Sequence, residues 1–319
     1  MSKKFINAVH LNGFVHSHKL EKKVSGSASK NPGTEYIRGD VNIATDNKCL
    51  NVVTVHFRYV IAVTARGGAN DTYNILERIL KNDLGNIMDN GKDNAAYVRI
   101  DTAIALNEFY DKNDMNRLVS NRRLEGGFIH LDVCPDEGID ESKSATFNED
   151  IVINNCVRYE ADDERGKPER VVIKGAVFDF RKALLPVEFT AVNPAAMDYF
   201  EGLEASPNNP VFTRIQGKII SQTLVKKIEE ESAFGEAIVR ETPQSYKDYV
   251  VNWAQQTPYE WDSEDTILAS ELQDYVAARE ITLATIKKNQ LEYQNRASNN
   301  AIGGGIGVTV NSSKNDYNF

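Results

Sequence analysis

The chain has 319 residues, 41% apolar and 26% charged, a balance that suits a globular protein and excludes a disordered or fibrous one. No stretch of about eighteen apolar residues occurs, so no membrane-spanning helix is expected. The net charge of −9 argues against an evenly basic nucleic-acid binder, yet residues 1–64 hold nine Lys and Arg against four Asp and Glu.

The opening MSKKFINAVHLNG lacks the apolar run and cleavage site of a signal peptide and reads as the start of a strand. Cys49, Cys134 and Cys156 lie far apart with no C-x-x-C pair, which fits a reducing cytoplasm, the host's if the chain is viral. Neither a metal site nor a cofactor is expected. His16 and His18 form an H-x-H pair that reads as ordinary strand histidines.

Three strands come first. In strand one Val9, Leu11, Gly13 and Val15 oppose His10, Asn12, Phe14 and His16. Strand two, about 35–45, sets Ile37, Gly39, Val41 and Ile43 against Tyr36, Arg38, Asp40 and Asn42. In strand three, about 50–64, Val53, Val55, Phe57, Tyr59, Ile61 and Val63 oppose Thr54, His56, Arg58 and Val60. Successive side chains point to opposite faces, so each strand has a core face and a face free to meet a ligand. Between strands one and two, SGSASKNPGT reads as a flexible loop.

Tyr73, Leu76, Ile79, Leu80 and Leu84 recur at helical spacing, which predicts a helix over 71–84 stopped by Gly85. A fourth strand is expected at 96–106 and a fifth at 128–133. Three strands, a helix and two strands is the order of the five-stranded oligonucleotide-binding (OB) barrel. After an acidic linker at 134–144, a strand at 151–159 belongs to either half of the chain.

An internal repeat is expected. Val9-x-Leu11-x-Gly13-x-Val15 recurs as Val171-x-Ile173-x-Gly175-x-Val177. Asn31-Pro32 before Ile37-x-Gly39-x-Val41 recurs as Asn209-Pro210 before Ile215-x-Gly217-x-Ile219. A helical stretch at 195–203 absorbs the extra length, and 246–253 supplies a late strand. A second barrel would then cover about 165–255. A capping box of Ser270 and Gln273 opens a long helix to about residue 296, and a Gly/Asn/Ser-rich tail follows. The fold class is mainly β with α additions. The domains expected are an OB domain over 1–135, a second β domain over 136–255, the helix over 256–297 and a flexible tail over 298–319.

The outward residues carry the chemistry. His10, Phe14, His16, Tyr36 and His56 offer rings on which bases stack. Arg38 and Arg58 share that face, and Lys19, Lys22, Lys23 and Lys30 lie on the adjoining strand end and loop. In the second half Lys174, Phe178, Arg214 and Lys218 take equivalent outward positions.

FINAVHLNGFVHSHKLE, YIRGDVNIATDN and LNVVTVHFRYV together resemble the first three strands of OB-fold single-stranded DNA-binding proteins, in a divergent phage or mobile-element style. Asn7, Val9, Leu11 and Gly13 match the Asn-x-Val-x-Leu-x-Gly opening of that family, and Ile43, Ala44 and Thr45 match the end of its second strand. The resemblance implies a non-enzymatic protein that coats single-stranded DNA during replication, recombination or repair. It also implies a partner-binding tail, here Asp316, Tyr317 and Phe319, although the family's acidic tip is reduced; self-association is left open.

No phosphate loop, dinucleotide fingerprint, nucleophile elbow or H-E-x-x-H is present, so no enzyme is expected. The rival reading is an assembly protein, a virion or tail component, whose β domains bind protein. Packing of the outward face of strands one to three against another element would favour that rival.

Overall fold

In a computed structural model, residues 5–27, 29–162, 166–179, 183–230, 238–263 and 267–302 are described. The opening alternation holds: Val9, Leu11, Gly13 and Val15 of β1 (Asn7–Val24) are buried, and the residues between them are half-exposed. β2 (Glu35–Ala44) buries Ile37, Val41 and Ile43, and β3 (Val52–Ile61) buries Val53, Val55 and Phe57.

Past Phe57 the alternation fails. Ile37 pairs with Val60 and Gly39 with Phe57, so Arg58 and Tyr59 together oppose Arg38. Such a bulge turns two successive side chains outward. Tyr59, expected inside, is 45% exposed.

Helix α1 (Asp71–Leu80) buries Thr72, Tyr73, Ile75, Leu76 and Ile79. It ends before Gly85 because Asn82 adopts a left-handed backbone (φ 61°), a conformation asparagine tolerates and a continuing helix does not. The short α2 (Ile87–Asn90) follows, then β4 (Tyr97–Tyr110) and β5 (Leu118–Leu131). β5 starts ten residues before the expected strand, hidden by its polar stretch SNRRLEGG. β1 to β5 close a ring, each strand hydrogen-bonded to two others in the circuit β1–β2–β3–β5–β4–β1.

The second half repeats that circuit. β6 (Ala145–Tyr159), β7 (Arg170–Phe178), β8 (Leu184–Ala191), β9 (Val211–Glu230) and β10 (Ile238–Ala254) close as β6–β7–β8–β10–β9–β6. Helix α3 (Pro194–Gly202) falls between its third and fourth strands, as α1 does in the first ring. The expected repeat therefore exists in topology, but its sequence alignment is displaced, by one strand at the first match and by two at the second. β7 is the second strand of its ring and answers β2, and β9 is the fourth and answers β4.

Two glycines bear this out. A Cβ on Gly39 would lie 2.0 Å from the Lys19 carbonyl of the preceding strand, and one on Gly175 would lie 2.5 Å from that of Val152. Gly175 thus matches Gly39, not Gly13. β8 has no counterpart among the expected strands because Pro186, sitting outward opposite Ala176, breaks the usual strand composition.

β1 also pairs with β6 from Asn7↔Glu149 to Leu11↔Ala145, so the ten strands form one hydrogen-bonded sheet. β6 begins six residues before the expected strand because Glu149 and Asp150 disguise it; both are fully buried. Asp150 is held by Arg214 at 2.8 Å and by the Ile6 backbone N–H at 2.9 Å. Both oxygens of Glu149 lack a hydrogen-bond partner among the described residues.

Burial and the neighbouring Asp150 charge push the Glu149 carboxyl well above its ordinary range. A raised folded-state value favours folding most below the unfolded value and loses that advantage as pH rises through the folded one. Stability should therefore fall with rising pH above about 4.5, by up to about 1.4 kcal/mol per pH unit. In Glu149→Gln that fall should vanish, which urea midpoints at pH 5 and pH 8 will read.

Helix α4 (Ala269–Ile302) begins one residue before Ser270, and the carboxylate reaching back is that of Glu271, on the Leu268 N–H at 3.2 Å. The expected Ser270/Gln273 box is replaced by this contact. Tyr259, Trp261, Ile267, Leu272 and Tyr275 pack on Val152, Phe178, Leu184 and Phe212, outside the second ring. Farther along, Arg279 pairs with Glu108 and Gln290 accepts from the Tyr110 N–H at 2.9 Å. The helix thus braces the β4–β5 hairpin of the first ring. Among the described residues no helix is long and apolar enough to cross a membrane.

Candidate nucleic-acid interface

Six of the expected site residues meet on one outward face. The β-pairing sets Lys19, Asp40 and His56 in one row, Glu21 and Arg38 in the next opposite the bulged Arg58 and Tyr59, and Lys23 and Tyr36 at the edge. Two members are new, Tyr59 from the bulge and Arg123 from β5. The Tyr36 and Tyr59 rings lie 4.6 Å apart between centroids, and the Tyr59 hydroxyl is 3.2 Å from Ser25 Oγ. Arg123 lies outside the expected fifth strand, which starts ten residues into β5. Its signal was the Arg122-Arg123 pair before an apolar Leu124, which is buried.

Carboxylates interleave the cations. Arg38 Nε donates to Glu21 at 2.5 Å, Arg58 Nε lies 2.7 Å from Glu125, and Arg123 lies 2.5 Å from the other oxygen of Glu125. His56 Nδ1 is 2.6 Å from Asp40 Oδ1, and this hydrogen bond, against an opposing burial effect, holds the Asp40 carboxyl below its usual range. Burial disfavours the Glu21 charge, but the Arg38 hydrogen bond and charge outweigh it and lower that carboxyl too. Burial likewise lowers the Arg123 guanidinium. Arg58 stays half-exposed, and Lys19 is exposed. Exposed pairs of this kind contribute only about 0–1 kcal/mol, so an incoming phosphate can compete for the guanidinium groups.

The remaining expected residues scatter. Lys22 faces α1, where Glu35 at 2.6 Å and Glu77 at 3.0 Å hold it and raise its ammonium above the ordinary value. The register slip between Val15 and Ser17 sends it there, opposite Ile37. Lys30 is exposed in the β1–β2 loop. His16 is half-buried, and burial lowers its imidazole so that it is neutral near pH 7. His10 and Phe14 lie on the β4 side of β1: His10 Nδ1 is 2.7 Å from Asp101, and Phe14 meets Tyr97 edge-on at 5.1 Å under the Lys92 ammonium.

In the second ring two assignments are corrected. Phe178 is buried, stacked on Phe5 at 4.3 Å and edge-on to Tyr275 at 5.6 Å, because the C-terminal segment covers its face. Arg214 neutralises buried Asp150 and is committed to the core. Lys174 is outward beside Glu188 at 3.6 Å, and Lys218 is half-buried on β9. Asp316, Tyr317 and Phe319 lie outside the described residues. Among the described residues no cluster of three or more His, Cys, Asp or Glu side chains could hold a metal.

Two like-wound five-stranded rings define the class of the molecule; the first has a cationic and aromatic outer face, and the C-terminal segment covers the Phe178 patch outside the second. The chain belongs to the YorF family, whose model matches residues 6–270. No curated protein matches its sequence. Among solved structures it is similar to a deletion mutant of the single-stranded DNA-binding protein from Thermus aquaticus, at 8% identity and a TM-score of 0.44, over 82% of this chain and 98% of that one. It is also similar to a chain of a replication protein A heterotrimer bound to single-stranded DNA, at 10% identity and a TM-score of 0.23, over 86% of this chain and 70% of that one.

Proposed function

We propose that this chain binds single-stranded DNA, largely without sequence preference, in support of replication, recombination or repair. The two rings are read as OB barrels, the first within 1–135 and the second within 136–255. Strand order and the helix between third and fourth strands support that reading. The observation that carries the function is the open outer face of β1, β2, β3 and β5. There Lys19, Lys23, Arg38, Arg58 and Arg123 surround the tilted Tyr36–Tyr59 pair, with the Lys30 loop alongside.

In an OB barrel the face of strands two and three is the oligonucleotide-binding face. Rings there give stacking worth about 1–3 kcal/mol per base, and the cations give phosphate contacts. The interleaved carboxylates compete with phosphate and weaken indiscriminate sticking. Among the described residues no other element is seen packed on this face, which favours this reading over an assembly protein.

Anisotropy titrations with oligo-dT and the matching duplex at several salt concentrations test the function. Tighter binding of the single strand is expected, with affinity falling steeply in salt. Arg58→Ala should weaken oligo-dT binding and flatten the log–log salt slope by about 0.7. A purified chain that ignores oligo-dT at low ionic strength overturns the proposal.

A further inference from the structure

Where the rings join, β1, β6 and β9 lie side by side and present one shared outer face. Ala8 pairs with Asn148 and Asn148 with Gln216; His10 pairs with Thr146 and Thr146 with Lys218. A cavity of about 370 Å³ opens on this face, lined among others by His10, Asp101, Thr146, Asn148, Gln216 and Asn252. That volume is at the low end of the ~300–1,000 Å³ usual for small-ligand sites.

Its chemistry is uneven. The floor is the backbone of Val9, Phe147 and Gly217, because the Val9 and Phe147 side chains turn to the opposite face of the sheet and are buried in the core. The walls are amides and a hydroxyl. The charge of Asp101 is met by His10 at 2.7 Å and Arg99 at 3.6 Å, and His10 Nε2 accepts from Asn12 Nδ2 at 3.0 Å. Asn148 Oδ1 is buried and has no hydrogen-bond partner. An unfilled buried acceptor costs free energy that a donor from a ligand would recover.

We propose that this cavity takes one unstacked nucleobase of the bound single strand. This rests on the DNA-binding reading above and adds a second contact to it, beyond the first-ring face. The flat ring lies along this floor of peptide groups, and its hydrogen-bonding edge meets the Asn148 and Gln216 amides, as amide side chains meet base edges elsewhere. Arg99 and Lys218 flank the opening and face the phosphates on either side. A base, unlike a phosphodiester, carries an N–H donor for the vacant acceptor.

The test compares oligo-dT with an abasic oligomer of equal length, by anisotropy, for the wild type, Asn148→Leu, Gln216→Ala and Arg58→Ala. Asn148→Leu should weaken oligo-dT binding roughly tenfold, leave the abasic oligomer unchanged and leave the salt slope unchanged. Gln216 is exposed, so its truncation spares folding and should show the same split more weakly. Arg58→Ala should instead weaken both oligomers and flatten the slope. If both cavity variants bind oligo-dT like the wild type, or lose the two oligomers equally, the cavity assignment is overturned while the first-ring face stands. If the wild type binds neither oligomer, both proposals fall.

Discussion

Arg38→Glu combined with Arg58→Glu should reduce affinity for oligo-dT at low ionic strength by roughly a hundredfold or more and flatten the salt slope by at least about 1.4. Both guanidinium groups sit on the outer face of β2 and β3, bracketing the bulge that exposes Tyr59. Each pairs with a carboxylate across the sheet, Glu21 or Glu125, and those carboxylates would keep only their second cation, Lys23 or Arg123, when the charge is reversed. The face would pass from net cationic to net anionic. The cost to folding should stay near 1 kcal/mol per pair, because both pairs are partly exposed. Anisotropy titration beside a thermal melt separates the two effects. Wild-type binding by a folded double variant would remove this face from the interface.

Phe178→Ala should destabilise the chain by about 3–5 kcal/mol, the usual cost of emptying a buried aromatic site. Its ring lies against Phe5, Phe212 and Tyr275, and with Val152 and Leu184 it makes the seat on which Tyr259, Trp261 and Ile267 dock. Its loss should loosen the segment leading into α4 from the second ring, while the Arg279–Glu108 pair still tethers the helix to the first. Urea unfolding reads the stability, and limited proteolysis around 256–267 reads the loosening. A surface stacking residue would behave in the opposite way, leaving stability intact and lowering DNA affinity.

The first ring was largely legible because its strands bury one face and wet the other. Val9 to Val15 and Ile37 to Ile43 could be read as strands with the correct side inward. The misreadings share a cause: a local pattern says nothing of what the opposite face meets. Phe178 falls on the outward register of β7, as an exposed stacking ring would, and only the return of the C-terminal segment makes it core. Arg214 looks like a surface cation until the buried Asp150 of another strand is set beside it. Tyr59 was placed inside because a bulge leaves no trace in alternation until it breaks it. β8 and the start of β6 were missed where Pro186, Glu149 and Asp150 sit inside sheets and carry the wrong local preference. The repeat was visible through its glycines, but glycines mark close approach between neighbouring strands and do not say which strand of the circuit they are on.

The pairing of β1 with β6 across the two rings has a mechanical consequence. Small binding modules strung on flexible linkers gain avidity through an effective concentration set by linker length. Here the backbone ladder from Asn7 to Leu11 fixes one ring against the other, so the length of the connection over 132–144 does not set their separation. A polymer that touches both rings must adopt the bend that this ladder imposes, and whatever that bend costs is charged against every nucleotide gained beyond the first ring.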